Sequence, residues 1–369
     1  MNVYVRQLAA ALARNGVEVD VYTRAETDTR SIVDVEPGLR VHHILAGPAR
    51  TVPKHALVDF VPEFVDGVAS RLAGDHPADA IHANYWLSGI AGHELKHRFD
   101  LPLGCTFHTL ARVKGVDDAD AADRATIESQ VIGCSDVVFA SCPDEAEQLH
   151  RLYGAEPGRT EVVPPGVDHA FFGPGSRVGA RRATRASRDE PHVLYVGRIQ
   201  PLKGLHIAAE AVRMLERPAA FTVVGGPSGP AGEAYLASIE SPGMRVVAPK
   251  PHDLLASYYR AADVVVVPSQ SESFGLVALE AAACGIPVVA TAVGGLHTLV
   301  LDGRTGFLRP RTPEAFARAA GLILNDPALA SYLGDEAARH ARRFTWSAAA
   351  GTVSSVFRSL TERVLVACS

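Results

Sequence analysis

The sequence predicts an α/β protein built from two doubly wound domains. The chain has 369 residues, about twice the length of a typical domain. Short apolar segments typical of buried strands alternate with segments of helical periodicity, and this alternation favours parallel sheets covered by helices. Polar motifs follow several of the strands directly. Since ligands bind such sheets outside the carboxyl ends of the strands, these motifs are candidate sites.

The amino-terminal part is predicted to open on a helix. Residues 3–14 have apolar positions at helical spacing, Asn15 and Gly16 form a typical helix end, and residues 17–23 predict a strand. Because an α/β domain normally opens on a strand, we expect a first strand and its glycine-rich loop to be missing ahead of residue 1. Restoring them is expected to raise stability and activity. Further strands are predicted at residues 79–83, 103–108, 136–140 and 160–163.

Composition suggests the domain boundaries. Residues 173–190 are rich in Arg, Gly, Ser and Ala without an apolar period, which is typical of an exposed linker. The amino-terminal domain then covers residues 1–172 and the carboxy-terminal domain covers residues 191–346, while a last helix in 347–369 completes the first domain. Strands of the second domain are predicted at residues 192–197, 221–226, 245–248, 263–268 and 287–291.

The overall composition argues against several functional classes. The net charge is −5, with 36 basic and 41 acidic residues, so no charge excess favours nucleic acid or an anionic membrane. No apolar run approaches the roughly 18 residues of a membrane span, and the amino terminus lacks the pattern of a signal peptide. Five scattered cysteines without a CxxC pair are typical of reduced, mostly buried thiols. We expect a cytoplasmic protein, with a homodimer left open.

The strongest chemical motif follows the strand predicted at residues 263–268. Glu272 precedes Glu280 by eight positions, slightly more than two helical turns, and lies in the loop before the helix that carries Glu280. The amides at this helix start are expected to be unpaired and to bind an anion such as a diphosphate. These amides belong to Phe274, Gly275 and Leu276. The alternative is an acidic helix cap followed by a solvated helix face.

Two further motifs follow strands of the second domain. Arg198 and Lys203 project from the loop after the strand at 192–197, where two cations suit a diphosphate leaving group. Lys203 is one of only five lysines among 36 basic residues. Gly225 lies in a glycine-rich turn that is expected to let the backbone approach a nucleotide, although the turn is not a GxGxxG fingerprint. A solvated loop is the alternative for Arg198 and Lys203.

In the first domain, His108 and Thr109 end one predicted strand and Tyr85 follows another, so all three are expected at the same sheet edge. Residues 118–120 imitate a DxD metal motif, but no strand flanks them. We interpret them as a solvated loop and expect no metal site.

These motifs resemble those of the retaining GT-B glycosyltransferases, and more narrowly those of the D-inositol-3-phosphate glycosyltransferases that begin mycothiol synthesis. The matching segments are residues 1–5, 84–89, 108–114, 163–168, 197–203, 225–229 and 271–280. The carboxy-terminal segments are shared by many sucrose-synthase-like transferases, whereas the amino-terminal ones are more specific. The resemblance implies two Rossmann-like domains that face each other across a cleft.

The resemblance also implies roles for the donor residues. Arg198 and Lys203 would hold the diphosphate of a UDP-sugar, Glu280 the ribose hydroxyls and Glu272 the sugar. His108 would contact the transferred sugar near its anomeric centre, so that His108 and Glu272 are the candidate catalytic residues. No metal and no cofactor would be needed, because the two cations stabilise the leaving diphosphate.

The acceptor roles follow from the same resemblance. Asn2 would meet an inositol ring, and the phosphate would be bound by Lys54, Tyr85, Thr109 and Arg124. The implied reaction is retaining transfer of N-acetylglucosamine from UDP-N-acetylglucosamine to 1D-myo-inositol 3-phosphate. Two alternatives stay open: a sister transferase for an aminocyclitol or another polyol in natural-product assembly, and a truncated, non-catalytic nucleotide-sugar-binding protein.

Overall fold

The computed structural model describes residues 2–27, 32–74, 77–114, 121–228, 231–239, 243–362 and 365–366. The chain divides into two compact units. The first unit comprises Met1–Gly166 and Trp346–Ser369, and the second unit comprises Val167–Thr345.

The first unit opens on helix α1, Asn2–Arg14, as the apolar spacing predicts. Its strands are β1 (Val19–Arg24), β2 (Ile32–Glu36), β3 (Leu39–Ile44), β4 (Ile81–Asn84), β5 (Leu103–Thr106), β6 (Val137–Ala140) and β7 (Thr160–Val162). Its further helices are α2 (Val61–Leu72), α3 (Trp86–Phe99), α4 (Ala111–Lys114), α5 (Ala121–Cys134) and α6 (Pro143–Tyr153), with short 3-10 helices at Lys54–Phe60 and Pro157–Arg159.

The described strands of the first unit form two separate sheets. One has the order β1-β3-β2, with β1 parallel and β2 antiparallel to β3, and the other has the order β4-β5-β6-β7 with all pairs parallel. Within the described residues, β1 and β4 are edge strands.

The second unit is a single doubly wound sheet with its helices. Its strands are β8 (His192–Val196), β9 (Ala220–Val224), β10 (Met244–Val247), β11 (Val264–Val267), β12 (Val288–Thr291) and β13 (Gly306–Arg309). Its helices are α7 (Arg177–Thr184), α8 (Leu205–Arg213), α9 (Gly232–Ile239), α10 (His252–Ala261), α11 (Leu276–Ala283), α12 (Leu296–Leu299), α13 (Pro313–Asn325) and α14 (Pro327–Ala341), with a short 3-10 helix at Pro201–Lys203.

The six strands have the order β10-β9-β8-β11-β12-β13, and every pair is parallel. The four consecutive valines of β11 are all buried, as expected of a strand that is covered on both faces. The order of strands reverses between β8 and β11. Ligands bind at such a switch point, outside the carboxyl ends of the two strands.

The final helix α15, Trp346–Leu360, belongs to the first unit and packs on α1. Trp346, Ala350 and Val353 share one apolar cluster with Tyr4 and Leu8. The cluster also contains Val137 and Phe139 of β6 and Val163, which directly follows β7, so α1 and α15 contribute to one apolar layer of the fold.

The segment 173–190 is not the structureless linker that its composition predicts. It contains α7, whose Ser176 cap accepts a hydrogen bond from the amide of Gly179. Arg181 is buried in this helix and donates to Asp263 at 2.6 Å. The partner lies 82 residues along the chain, so local composition could not indicate that an arginine-rich segment packs on the second unit.

The cysteines follow the prediction only in part. Cys105, Cys142 and Cys284 are buried free thiols, whereas Cys134 is disulfide-bonded. The expectation of five reduced thiols is therefore wrong for Cys134, because spacing along the chain carries no information on which sulfurs meet in space. In the described part of the chain, no helix is both long and apolar enough to cross a membrane.

Candidate active site

In the second unit, the candidate donor residues lie in the loops after β8 and β11, at the switch point of the sheet. Lys203 lies in the 3-10 helix that follows β8, and Glu272 lies between β11 and α11. The Nζ atom of Lys203 is 2.6 Å from Oε2 of Glu272, and both side chains are largely buried. The structure therefore brings two predicted donor residues into direct contact as an ion pair.

Arg198 differs from Lys203 in its surroundings. Its side chain is exposed and makes no hydrogen bond to any described residue. Its carbonyl oxygen accepts a hydrogen bond from the buried hydroxyl of Tyr195, which fixes the backbone of the loop. Because the loop is fixed and the guanidinium has no hydrogen bond to a described residue, the side chain of Arg198 can donate to an anionic ligand.

The start of α11 presents amides that have no backbone partner among the described residues, as the sequence predicts. Gly275 caps the helix in the left-handed region, with a φ of 101°. The first amide of this turn with a backbone partner belongs to Leu279, which donates to the carbonyl of Gly275 at 3.1 Å. Within the described residues, the amides of Phe274, Gly275 and Leu276 donate no backbone hydrogen bond. This helix start can therefore bind an anion.

The side chain of Phe274 does not contribute to that surface, because it is buried against Phe344. The glycine at position 225 also has a packing reason. A Cβ atom on Gly225 would lie 1.9 Å from the carbonyl oxygen of Gly197, so the strand-end loops approach too closely for any side chain. A contact between Gly225 and a nucleotide stays a prediction.

Glu280 is buried, not on a solvated helix face. Its Oε1 lies 2.6 Å from Nε2 of His252, and its Oε2 accepts a hydrogen bond of 2.7 Å from the hydroxyl of Tyr259. Burial raises the pKa of Tyr259 well above its usual value, so this hydroxyl stays a donor. Both partners belong to α10 and hold the carboxylate that is predicted to bind ribose.

In the first unit, the candidate residues follow β4 and β5. Tyr85 and His108 are non-glycine residues with positive φ, at 85° and 62°, which is uncommon and is typical of functional turns. The Nε2 atom of His108 lies 2.9 Å from Oδ1 of Asn84, and its ring packs edge-on against Tyr4. Burial lowers the pKa of His108 to about 3, so the imidazole is neutral at physiological pH.

Arg124 joins two of the other predicted acceptor residues. Its Nη2 donates to the carbonyl of Thr109 at 2.6 Å and lies 3.2 Å from the Thr109 hydroxyl. Its guanidinium lies 5.1 Å from the ring centre of Tyr85 and 6.0 Å from that of Trp86, within the range of a cation–π contact. We call Arg124, Thr109 and Tyr85 the arginine cluster.

Three further predictions concern Asn2, Lys54 and residues 118–120. Asn2 is exposed at the start of α1. Lys54 begins the 3-10 helix before α2, and its side chain lies outside the described part of the structure. Residues 118–120, interpreted as a solvated loop, also lie outside it.

Four residues that hold the candidates in place were not predicted from the sequence: Asn84, Glu128, His252 and Tyr259. Glu128 accepts a hydrogen bond of 2.7 Å from Nε of Arg124, four residues earlier on α5. A spacing of four on a helix could have indicated this pair. The partners of Glu280 come from another helix, and no local signal indicates them.

Two family profiles match the chain in succession. The glycosyl transferase 4-like domain matches residues 1–166, and the profile described as glycosyl transferases group 1 matches residues 179–340. Among curated proteins, D-inositol 3-phosphate glycosyltransferase 2 of Catenulispora acidiphila is 42% identical over 380 residues, which cover 97% of this chain and 89% of that protein.

Solved structures agree on the fold. A sucrose-phosphate synthase from Thermosynechococcus elongatus superposes with a TM-score of 0.90 at 34% identity, covering 98% of this chain and 93% of that one. HepE of Anabaena, solved in complex with UDP-glucose, has a TM-score of 0.73 at 20% identity over 86% of each chain. The chain therefore belongs to the family of the D-inositol 3-phosphate glycosyltransferases and is a hexosyltransferase with a GT-B fold.

Proposed function

We propose that the chain transfers N-acetylglucosamine from UDP-N-acetylglucosamine to 1D-myo-inositol 3-phosphate with retention of the anomeric configuration, the first step of mycothiol biosynthesis. The relative from Catenulispora is named for inositol 3-phosphate, and the distant structural neighbour HepE was solved with UDP-glucose. The second unit holds the donor and the first unit holds the acceptor in this proposal.

The arginine cluster carries the acceptor assignment. Arg124 uses Nε and Nη2 for contacts within the protein, and its Nη1 has no hydrogen-bond partner among the described residues. The hydroxyl of Thr109, which accepts from Nη2, keeps its own proton for donation. A guanidinium edge and a hydroxyl side by side suit the oxygens of a phosphate monoester, and Lys54 would add a second charge.

On the donor side, the unpaired amides of Phe274, Gly275 and Leu276 and the cations Arg198 and Lys203 would bind the diphosphate. The ion pair of Lys203 with Glu272 would then be exchanged in part for contacts with the donor. Glu280 would accept hydrogen bonds from the ribose hydroxyls in addition to those from its two protein partners, since a carboxylate has about four acceptor sites.

The chemistry proposed is attack from the face of the leaving group. The acceptor hydroxyl forms the new bond to the anomeric carbon while the bond to the diphosphate breaks, and a diphosphate oxygen takes the hydroxyl proton. His108 is neutral, so it can share a hydrogen bond with the transferred sugar without repelling the cationic transition state. Arg198 and Lys203 stabilise the charge on the departing diphosphate, and no metal is required in this scheme.

We expect nucleotide release to be fastest with UDP-N-acetylglucosamine and inositol 3-phosphate, and to persist in EDTA. Arg124→Ala should raise the acceptor KM roughly tenfold to a hundredfold, because a hydrogen bond to a charged group contributes about 1.5–3 kcal/mol. Arg98→Ala removes an exposed arginine of the same unit and serves as the matched control, with an unchanged KM.

Several results would contradict the proposal. Equal use of free and phosphorylated inositol would show that the chain does not recognise the acceptor phosphate. Preference for an aminocyclitol would favour the natural-product alternative. Absence of turnover together with tight nucleotide-sugar binding would favour the non-catalytic alternative. Inversion at the anomeric carbon, or a loss in EDTA that Mg²⁺ or Mn²⁺ restores, would overturn the mechanism.

A further inference from the structure

A buried carboxylate lies directly behind the arginine cluster. Glu128 on α5 has a fully buried side chain and accepts a hydrogen bond of 2.7 Å from Nε of Arg124. A buried charge is costly unless it is paired and hydrogen-bonded, so the full set of contacts around Glu128 shows what it is built to do.

Glu128 ties three segments of the first unit to one another. Its Oε2 accepts from the amide of Ala111 at 2.9 Å and from the hydroxyl of Tyr153 at 2.5 Å. The Tyr153 hydroxyl in turn accepts from the amide of Arg112 at 2.9 Å. The carboxylate therefore connects α5 with the start of α4 and the end of α6.

The hydrogen-bond directions in this network are determined. A backbone amide only donates, and so does the guanidinium of Arg124. Burial raises the pKa of Tyr153 far above its usual range, so its hydroxyl keeps the proton that it donates to Glu128. Every contact to Glu128 thus needs an acceptor, and only a carboxylate offers acceptors on both oxygens.

The same contacts orient the guanidinium. Nε is held by Glu128 and Nη2 by the carbonyl of Thr109, while the plane lies against the ring of Tyr85. With two of its three nitrogens fixed, Arg124 keeps Nη1 without a partner among the described residues. A preoriented guanidinium loses less side-chain entropy when it binds a ligand.

We propose that Glu128, supported by Tyr153, is a positioning residue that orients Arg124 for the phosphate of the acceptor. The inference rests on the proposed function for the ligand. It adds a residue that does not touch the substrate and that acts on acceptor binding through Arg124. The candidate residues for the diphosphate and the ribose, by contrast, belong to the second unit.

The variant Glu128→Gln tests this role. A glutamine must present its NH₂ group either to the amide of Ala111 or to Nε of Arg124, and each choice sets two donors against each other. We expect the acceptor KM for inositol 3-phosphate to rise at least tenfold, with the KM for the nucleotide sugar changed less than twofold. Glu336→Gln removes a buried carboxylate that pairs with Arg304 in the second unit and is the matched control, with both KM values unchanged.

A double variant separates positioning from a general structural role. If Glu128 acts through Arg124, adding Glu128→Gln to Arg124→Ala leaves the acceptor KM within twofold of that of Arg124→Ala alone. Multiplicative losses would overturn the inference. Should Glu128→Gln fail to fold, Tyr153→Phe, which removes one hydroxyl, decides: it is expected to raise the acceptor KM severalfold, and an unchanged KM would overturn the inference.

The single variants also separate this inference from the proposed function. If Arg124→Ala raises the acceptor KM and Glu128→Gln does not, the phosphate site stands and the positioning role falls. If Arg124→Ala has no effect, the phosphate assignment itself is wrong, and the role of Glu128 falls with it.

Discussion

At the scale of single residues, the two predicted cations of the donor site are not equivalent. Lys203 is committed to Glu272 in an ion pair, whereas Arg198 is exposed and has no side-chain hydrogen bond to a described residue. Both are expected to stabilise the same leaving group. Their replacement should therefore have the same effect on chemistry but different effects on the folded protein.

We expect Arg198→Ala and Lys203→Ala each to lower kcat/KM for the nucleotide sugar. The expected loss of transition-state stabilisation is roughly 2–4 kcal/mol for each variant. Arg198→Ala should leave the free energy of unfolding unchanged. Lys203→Ala should also destabilise the fold, because the largely buried Glu272 loses its counter-charge. Steady-state kinetics and chemical denaturation measure the two effects.

The control for both variants is Arg182→Ala, which removes an exposed arginine from α7 of the same unit. Its kinetics and stability should match those of the unmodified chain. Near-normal donor kinetics in Arg198→Ala and Lys203→Ala together would show that the diphosphate is bound elsewhere.

At the scale of elements, the sequence predicts buried strands well and packed polar segments poorly. The four valines of β11 predict a buried strand from their own sequence, because a continuous β-branched run indicates a strand without knowledge of the residues that it packs against. Helix α7 is not, because the burial of Arg181 depends on Asp263. The donor motifs could be predicted because they directly follow strands that the local sequence indicates. The contacts of Glu280 with His252 and Tyr259 could not, because both partners lie on a separate helix.

The junction between β8 and β9 shows an element-scale constraint that can be tested. Gly225→Ala would place a methyl group 1.9 Å from the backbone oxygen of Gly197, and a backbone atom cannot rotate away. We expect a loss of about 3 kcal/mol or more in the free energy of unfolding, the upper range for overpacking. Urea denaturation of the purified variant measures it.

Gly303→Ala provides the comparison, since Gly303 has a φ of 73° and no atom within 4 Å of its added Cβ. It should cost only the left-handed strain of about 1–2 kcal/mol. If Gly225→Ala lowers the free energy of unfolding no more than Gly303→Ala does, the loops after β8 and β9 are not held at this distance, and close packing does not explain the glycine.

At the scale of the whole molecule, partly buried neutral histidines link stability to pH. Burial lowers the pKa of His82 to about 4 and that of His108 to about 3, from an ordinary value of 6.5. In the unfolded chain both imidazoles take up a proton near pH 6.5, whereas in the folded chain they stay neutral until the pH is far lower. The unfolded state therefore binds more protons between these limits, and the folded state loses stability as the pH falls.

Not every buried group acts in this direction. Burial raises the pKa of Glu145, so the folded state takes up that proton earlier than the unfolded chain does, and acidification stabilises it there. The pH dependence of the free energy of unfolding is therefore a sum of contributions with opposite signs. A difference between two variants isolates a single histidine more cleanly than the total does.

We expect His82→Asn to flatten the pH dependence of unfolding between about pH 6.5 and pH 4. The expected change in slope is about 1.4 kcal/mol per pH unit at most, the value for one proton. Asparagine can keep the contact that Nε2 of His82 makes with the hydroxyl of Thr106 at 2.8 Å, so the comparison concerns protonation. His55→Asn removes an exposed histidine of the same unit and should leave the slope unchanged. Denaturation at a series of pH values decides: parallel curves for His82→Asn and the unmodified chain would mean that His82 does not stay neutral in the fold.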